Sequence, residues 1–315
     1  MVDKTRVLVT GGAGFIGSHV VDALIERGYD VAVLDDLSSG SRANLNAKAS
    51  FYEADVRDPA AVDQVFSAVR PQLVNHHAAQ ISVTQSAKDP VADASANVIG
   101  SLVVFEACRR YGVEHLTFAS TGGALYGEPS VIPANEQTPI LPLSPYGAAK
   151  ASVEVYLRMY QATWAMPAVA LRYANVYGPR QSPHGEAGVV AIFAARMLAG
   201  QTCTIFGSGE QQRDFVYVGD VAAANVIAMD QRLEGAFNVG TGKCVSVNEI
   251  ASVLARACGS HSQPAHAPDR AGEVQRISLD SSLLHTAAGW SPRTPLDEGL
   301  RLVVDHMRNA AALRR

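Results

Sequence analysis

A doubly wound α/β fold, a Rossmann-like parallel sheet followed by a smaller C-terminal α/β cap, is what this sequence predicts. Three observations carry the reading. Short β-branched runs alternate with amphipathic stretches of helical length through the first 175 residues, the pattern of βαβ units. A glycine-rich turn joins the first such strand to the first helix. After residue 177 the alternation gives way to shorter extended pieces and loops, which marks a second, smaller unit.

The elements follow in order. RVLVT (6–10) is a strand and 15–28 a helix; DVAVLD (30–35) and SFYEA (50–54) are strands, and 58–69 a helix. LVNHHA (73–78) is a strand and 90–112 a long helix; HLTFAST (115–121) is a strand, 146–164 a helix, and AVALRY (168–173) a strand. NVYGPR (175–180) opens a Gly/Pro/His-rich loop (178–188), followed by a helix near 189–199 and a strand at TIFG (204–207). Phe215–Val218 and Phe237–Val239 read as extended, 246–258 and 295–311 as helices, with the Pro-rich segment 264–272 between those two. The expected division is a dinucleotide-binding unit over 1–177, with return segments near 214–242, and a partly interleaved substrate-binding unit over 178–315.

Composition bounds the function. With 315 residues, 48% of them hydrophobic and 18% charged, the chain has material for a large core. A net charge of −4 and no basic cluster beyond Arg314-Arg315 argue against nucleic acid or an anionic membrane as partner. The four cysteines have no Cys-x-x-Cys spacing, which argues against zinc or a disulfide framework and suits a reduced cytoplasm. MVDKTR runs straight into a strand, and no stretch approaches 18 uninterrupted apolar residues, so no export or membrane segment is expected.

Gly11, Gly12, Gly14 and Gly17 lie at the first strand-to-helix turn. Glycine there permits the tight turn and the close approach of a pyrophosphate, while the helix N-terminus presents free N–H groups to it. Asp35 closes the next strand 18 residues after Gly17. A carboxylate at that place accepts hydrogen bonds from an adenosine ribose and repels a 2′-phosphate, so NAD is favoured over NADP. Asp36 and the Ser38-Ser39-Gly40 loop are placed to complete the ribose end, or form an ordinary polar loop. His76-His77 point to opposite faces of a strand with no carboxylate spaced to join them, so no metal site is expected.

Tyr146 and Lys150 stand four apart in SPYGAAK and share one helix face. An ammonium beside a phenol favours the phenolate, and so brings a group of ordinary pKa about 10 toward use as a base. An isolated pair of this kind would be a solvated face; beside a dinucleotide turn it points to redox chemistry.

With these residues in hand the chain resembles the extended short-chain dehydrogenase/reductase family, and within it the UDP-glucose (UDP-galactose) 4-epimerases. The resemblance rests on TGGAGFIGSHV, the DLSSG loop, FAST followed by YG (118–127), SPYGAAK (144–150), RYANVYGPR (172–180), RDFVYVGDVA (213–222), FNVGTG (237–242) and DRAGE (269–273). It implies a catalytic triad of Thr121, Tyr146 and Lys150, with Ser120 as the other candidate hydroxyl, because an extra glycine in TGGALYG shifts the turn. Tyr146 would take the proton of the sugar O4 and Thr121 would align that oxygen. Lys150 would hold the nicotinamide ribose and lower the Tyr146 pKa. Gly122 and Gly123 stand where dehydratases and decarboxylases of the family carry an acid, which favours simple epimerisation.

The same resemblance places Gly11, Gly14, Phe15, Ile16, Gly17, Asp35, Asp36, Leu37, Ser38, Ser39, Gly40, Asp55 and Val56 along the cofactor. His77, Ala78, Ala79, Gln80, Asn97 and Tyr173 join Tyr146 and Lys150 at its other end. For the UDP-sugar it implies Asn175, Arg213 and Arg270 at the diphosphate and Glu273 at the uridine ribose. Val189, Thr204 and Phe206 would pack around uracil and sugar, or simply fill the cap core. Ile277 matches a position that affects tolerance of a C2 substituent and leaves acetamido and hydroxyl both open. The helices 90–112 and 146–164 resemble the pair through which the family dimerises, so a homodimer is implied. An epimerase of UDP-N-acetylglucosamine or UDP-glucuronate, a 4-ketoreductase, and an NAD-binding sensor or scaffold are the alternatives.

Overall fold

The computed structural model describes residues 4–183, 188–269 and 274–312. The chain opens with β1 (Arg6–Thr10), α1 (Phe15–Arg27), β2 (Asp30–Asp35), β3 (Ser50–Glu53), α2 (Pro59–Val69) and β4 (Leu73–His76). Next come α3 (Val83–Lys88), α4 (Pro90–Ala94), α5 (Gly100–Tyr111), β5 (His115–Thr121), α6 (Pro145–Trp164) and β6 (Ala168–Tyr173). Then follow β7 (Asn175–Tyr177), α7 (Val189–Leu198), β8 (Thr204–Phe206), β9 (Gln212–Arg213), β10 (Phe215–Tyr217), α8 (Val218–Asp230) and β11 (Gly235–Val239). The last elements are β12 (Val245–Ser246), α9 (Val247–Cys258), β13 (Ala265–Ala267), α10 (Ser282–Ala288) and α11 (Leu296–Ala312).

Seven strands form one sheet in the order β11-β6-β5-β4-β1-β2-β3, every neighbouring pair parallel. The order reverses between β1 and β4, and a ligand crevice opens at the carboxyl ends of the strands at such a switch. Both sheet faces are covered, which is why the strands read as nearly continuous apolar runs. Leu8, Leu34, Val74 and Leu116 pack with Phe66 and Phe105 of α2 and α5. The alternating residues Val7, Val9, Val31 and Val33 pack with Val20 and Leu24 of α1 and Met229 of α8. A separate cluster of Val190, Phe193, Ile205, Ile250, Leu254, Leu300 and Val303 holds α7, β8, α9 and α11 together as a cap. Three two-stranded sheets, β10-β7, β12-β9 and β13-β8, frame the region between them.

Helix starts are written locally. Asp58 caps α2 through the Ala60 and Ala61 N–H groups, with Pro59 at the first helical position. Ser144 does the same for α6 through Gly147 N–H, again followed by proline, which sets Tyr146 in the first turn and Lys150 one turn later. Ser246 and Glu249 form the S-x-x-E start of α9, with Ser246 Oγ accepting from Glu249 N–H.

Several elements differ from expectation. The helix expected over 90–112 is broken by a π turn at Ser95–Ile99, centred on the buried Asn97. An 18-residue window within Pro90–Tyr111 has a mean hydropathy of 1.4, so by length and composition this stretch could cross a membrane. It is not an uninterrupted apolar run: Asp93, Asn97 and Ser101 interrupt it and are all buried within the protein. Helix α8 follows directly on the extended segment expected at Phe215–Val218 and has no counterpart among the elements expected from the sequence. It is apolar on most faces because it lies between α1 and the sheet, so it carries no amphipathic period to detect. Strand β13 sits inside the Pro-rich segment, where it pairs with β8.

Candidate active site

The turn after β1 is drawn tight by backbone bonds: Gly11 N–H donates to Leu34 O at 2.8 Å and Gly14 N–H to Gly11 O at 3.1 Å. Gly11 has φ +69°, and a Cβ on Gly17 would fall 2.2 Å from Gly11 O, so both positions need glycine. Gly14 is the N-cap of α1 and no side chain caps that helix, which leaves its first N–H groups available to an anion. Phe15 and Ile16 form the first turn.

Asp35 is buried and ties two loops together. Its Oδ2 accepts from Ala13 N–H at 2.9 Å and its Oδ1 from Leu37 N–H at 2.8 Å. Burial pushes its carboxyl upward, with those two bonds opposing the shift. Each carboxylate oxygen has further lone-pair capacity, so a ribose hydroxyl can still be accepted. Leu37 holds a left-handed φ of +57°, and Asp36 Oδ1 accepts from Ser38 N–H and Oγ at 2.9 and 2.6 Å. Ser39 is exposed, and a Cβ on Gly40 would press on Asp35 Oδ1 at 2.9 Å.

Asp55 is held by Arg57, whose Nε donates to its Oδ2 at 2.8 Å and which keeps the carboxyl below its ordinary range. Val56 lies in the core beneath it. Ala78 and Ala79 are half-buried after β4, and His77 Nε2 pairs with the Tyr173 hydroxyl at 3.1 Å while its Nδ1 is enclosed with no partner. Tyr173 in turn accepts from Asn225 Nδ2 at 2.8 Å. Asn97 does not reach outward: its amide donates to Gln80 O and Asp93 Oδ1, and its Oδ1 accepts from Gln80 N–H. Its side chain is engaged with Gln80 and Asp93, so it orders the Gln80 loop. His76 bridges Thr10 and Ser101 at 2.6 and 3.0 Å within the core, and burial pushes it down to about 3.

The catalytic candidates meet at the carboxyl end of β5. Thr121 is half-buried, its Oγ1 accepts from Ala124 N–H at 3.2 Å, and it lies in hydrogen-bonding reach of Tyr146. Ser120 faces the other way and donates to Glu154 Oε1 at 2.6 Å in the core. Of the two hydroxyls, Thr121 is therefore the one beside Tyr146. Lys150 is 4% exposed; its Nζ donates to Ala119 O at 2.9 Å and stands 4.7 Å from the centre of the Phe118 ring. Burial pulls Lys150 down to about 8, opposed by the charges of Asp93 and Glu154.

Tyr146 corrects one expectation. Rather than being lowered by Lys150, it is pushed up to about 12, by burial first and by Asp93 second, and the group that pulls it down is Thr121. The physical reason is that α6 delivers the pair into a low-dielectric pocket that disfavours the phenolate, while the ammonium is turned toward Ala119 O.

No acid stands at Gly122, and a Cβ there would fall 2.4 Å from Leu279 Cδ1, so a side chain would require Leu279 to shift. At Gly123 a Cβ would point toward Asn175 Oδ1 at 3.4 Å and Thr121 Oγ1 at 4.0 Å, so its absence keeps that side open. Asn175 is exposed, and with Val189 and Arg213 it lines a cleft that Gln181, Gln211 and Phe215 complete. Gln181 and Gln211 lie outside every motif in the sequence, whereas Phe215 falls within RDFVYVGDVA. Arg213 Nη1 donates to Gln212 O at 2.9 Å. Thr204 and Phe206 stand on β8 outside that lining, tethered to it where Gln211 Nε2 donates to Phe206 O at 3.0 Å. Ile277 is packed into the core beside Leu279 and Trp290. Arg270 and Glu273 lie outside the described residues.

Residues 7–240 match the model of the NAD dependent epimerase/dehydratase family. The chain belongs to that family. A UDP-glucose 4-epimerase of Thermotoga maritima, solved with UDP-glucose, is 48% identical with a TM-score of 0.95, over 98% of this chain and 100% of its own. One from Thermus thermophilus, solved with NAD, is 50% identical with a TM-score of 0.92, over 97% and 100%. The UDP-glucose 4-epimerase of Mycolicibacterium smegmatis is 44% identical over 96% of this chain and 99% of its own. The NAD on which the epimerase/dehydratase family depends fits the residues found here: an uncapped helix N-terminus behind a turn that admits no side chain, and a buried carboxylate at the end of β2.

Proposed function

We propose that this protein is an NAD-dependent UDP-glucose 4-epimerase, interconverting UDP-glucose and UDP-galactose through a transient 4-keto sugar. The observation that carries the reading is the convergence of Thr121, Tyr146 and Lys150 at the end of β5, next to a glycine where no acid stands. It is supported by the three named relatives. When bound, the dinucleotide supplies a reversible hydride acceptor for C4 and a cationic ring.

The chain's own groups do the rest. Tyr146 holds the O4 proton on its hydroxyl and gives it back, so no net acid or base is consumed. With Tyr146 near 12, its use as a base depends on positive charge that the bound dinucleotide's cationic ring would supply, since the Lys150 ammonium is turned onto Ala119 O. Thr121 orients O4 toward the phenol. Asn175 and Arg213 hold the diphosphate at the cleft mouth, where an Arg fork can bind two phosphate oxygens, with Arg270 and Glu273 as further proposed contacts. Gly11, Gly14, Gly17 and Asp35 hold the cofactor's pyrophosphate and adenosine ribose, and Asn97 acts there through Gln80.

We further infer a homodimer through α5 and α6, on the exposed side chains Ile99, Val155 and Tyr156 that these helices and the preceding π turn present. The four free cysteines and the net charge of −4 support a cytoplasmic protein without nucleic-acid or membrane partners. The deciding experiment denatures the purified protein, assays the released nucleotide, and separately incubates the native protein with UDP-glucose and no added reductant. Bound NAD and formation of UDP-galactose are expected. A requirement for NADPH would replace the reading with a ketoreductase, and faster conversion of UDP-N-acetylglucosamine or UDP-glucuronate would replace the substrate.

A further inference from the structure

Beneath the Tyr146–Lys150 pair lies a buried carboxylate that the proton transfer does not use. Asp93, in α4, is 2% exposed. Its Oδ1 accepts from Gln80 Nε2 at 2.7 Å and from Asn97 Nδ2 at 2.9 Å, and Asn97 is itself locked onto the Gln80 backbone. The other oxygen, Oδ2, is enclosed with no hydrogen-bond partner. Burying a carboxylate with an unfilled oxygen is costly unless positive charge or donors offset it. No ion pair of Asp93 exists among the described residues; what α4 packs against is α6, the helix that carries Tyr146 and Lys150.

The electrostatics run the same way. Asp93 is the largest charge supporting the Lys150 ammonium, and among the described residues it is the one carboxylate acting on Tyr146. The remaining titratable neighbours are accounted for. Glu154 of α6 is bound by Arg172 and Ser120. His76 and the neighbouring His77 are held neutral by burial. The Thr121 hydroxyl faces Tyr146.

We propose that Asp93 is a positioning residue of the catalytic pair: a carboxylate, clamped by Gln80 and Asn97, that sets the charge balance across Tyr146 and Lys150 and thereby places the pH range in which the enzyme works. This rests on the epimerase reading and deepens it. One negative charge acts on both groups and resists loss of a proton from either, so removing it moves both in one direction. A residue that only held α4 in place would change the amount of activity without moving the pH range.

The test is the pH profile of kcat/KM for UDP-glucose epimerisation in the wild type and in Asp93→Asn, which keeps the size of the side chain and an acceptor for Gln80 and Asn97. Retained NAD and the thermal midpoint are measured alongside. Both limbs of the profile are expected to move together to lower pH, on the order of one unit. Asp93→Glu, which keeps the charge, is expected to leave the limbs where they are. Should Asp93→Asn fail to fold, Asp93→Ser, which removes the charge and leaves room for water, takes its place. Limbs that stay in place in the charge-removed variant overturn this inference while the epimerase reading stands. A wild-type protein inactive on UDP-glucose overturns both.

Discussion

The two ends of the cleft are built on opposite principles. At the end of β5 the reactive groups stand on buried charges: Lys150 is enclosed, Asp93 lies beneath it, and Glu154 pairs with Arg172 at 2.6 Å with both side chains 3% exposed. At the mouth, Asn175 is exposed and Arg213 half-buried, on short strands held mainly by backbone bonds such as Asn175 N–H to Asp214 O at 2.9 Å. Where protons move, Tyr146 and Thr121 are half-buried above enclosed charges, so charges there act more strongly than in open water. Where a diphosphate must enter and leave, water remains and each contact is weaker. The chemistry and the binding should therefore respond differently to mutation.

The largest expected effect is at the buried end. Tyr146→Phe should lower kcat at least about a hundredfold while NAD content and unfolding midpoint stay unchanged; retained turnover would remove Tyr146 from the mechanism. Next comes the ion pair. Arg172→Met alone should cost about 3–5 kcal/mol in denaturant unfolding because it strands Glu154, and pairing it with Glu154→Gln should recover part of that loss. A double variant no more stable than the single one would show that the pair is not the source.

At the exposed end, Arg213→Ala should raise KM for UDP-glucose about tenfold or more with kcat little changed, the loss of one charge-assisted contact. A fall in kcat with KM constant would move Arg213 from the binding side to the chemical side. Acid sensitivity also divides the ends. His76 and His77 are depressed by burial to about 3 from an ordinary value of 6.5. Below 6.5 the unfolded chain binds protons that the folded one refuses, so the stability they contribute is complete above about 6.5 and is lost as pH falls toward about 3. The slope from each is at most about 1.4 kcal/mol per pH unit. Denaturant midpoints measured from pH 7 to pH 4 check it, and a flat profile would mean these rings are protonated within the fold. The smallest effect is the cap of α6: Ser144→Ala should cost about 1 kcal/mol and leave the cleft intact.

Legibility followed the range of the forces involved. Strands β1, β2 and β5 and helices α1 and α6 could be read because their turn, cap and period signals lie within a few residues. Helix α8 could not, because burial on both sides erased its period, and the π turn at Asn97 answers to contacts with Gln80 and Asp93 rather than to its own sequence. The same holds in the site. The four-residue spacing of Tyr146 and Lys150 put both on one helix face, whereas Asp93, Gln181 and Gln211 carry no motif.

By itself, then, the sequence determined the parallel sheet, the glycine turn with Asp35, the Tyr146–Lys150 face and the missing acid after Thr121, because spacing along one strand or helix settles each of them. Only the tertiary structure decided that Thr121 and not Ser120 faces the phenol, that Tyr146 is pushed up rather than down, and that Asp93 lies beneath the pair. Burial and the charges across a helix interface set those outcomes, and both depend on residues far apart in the chain.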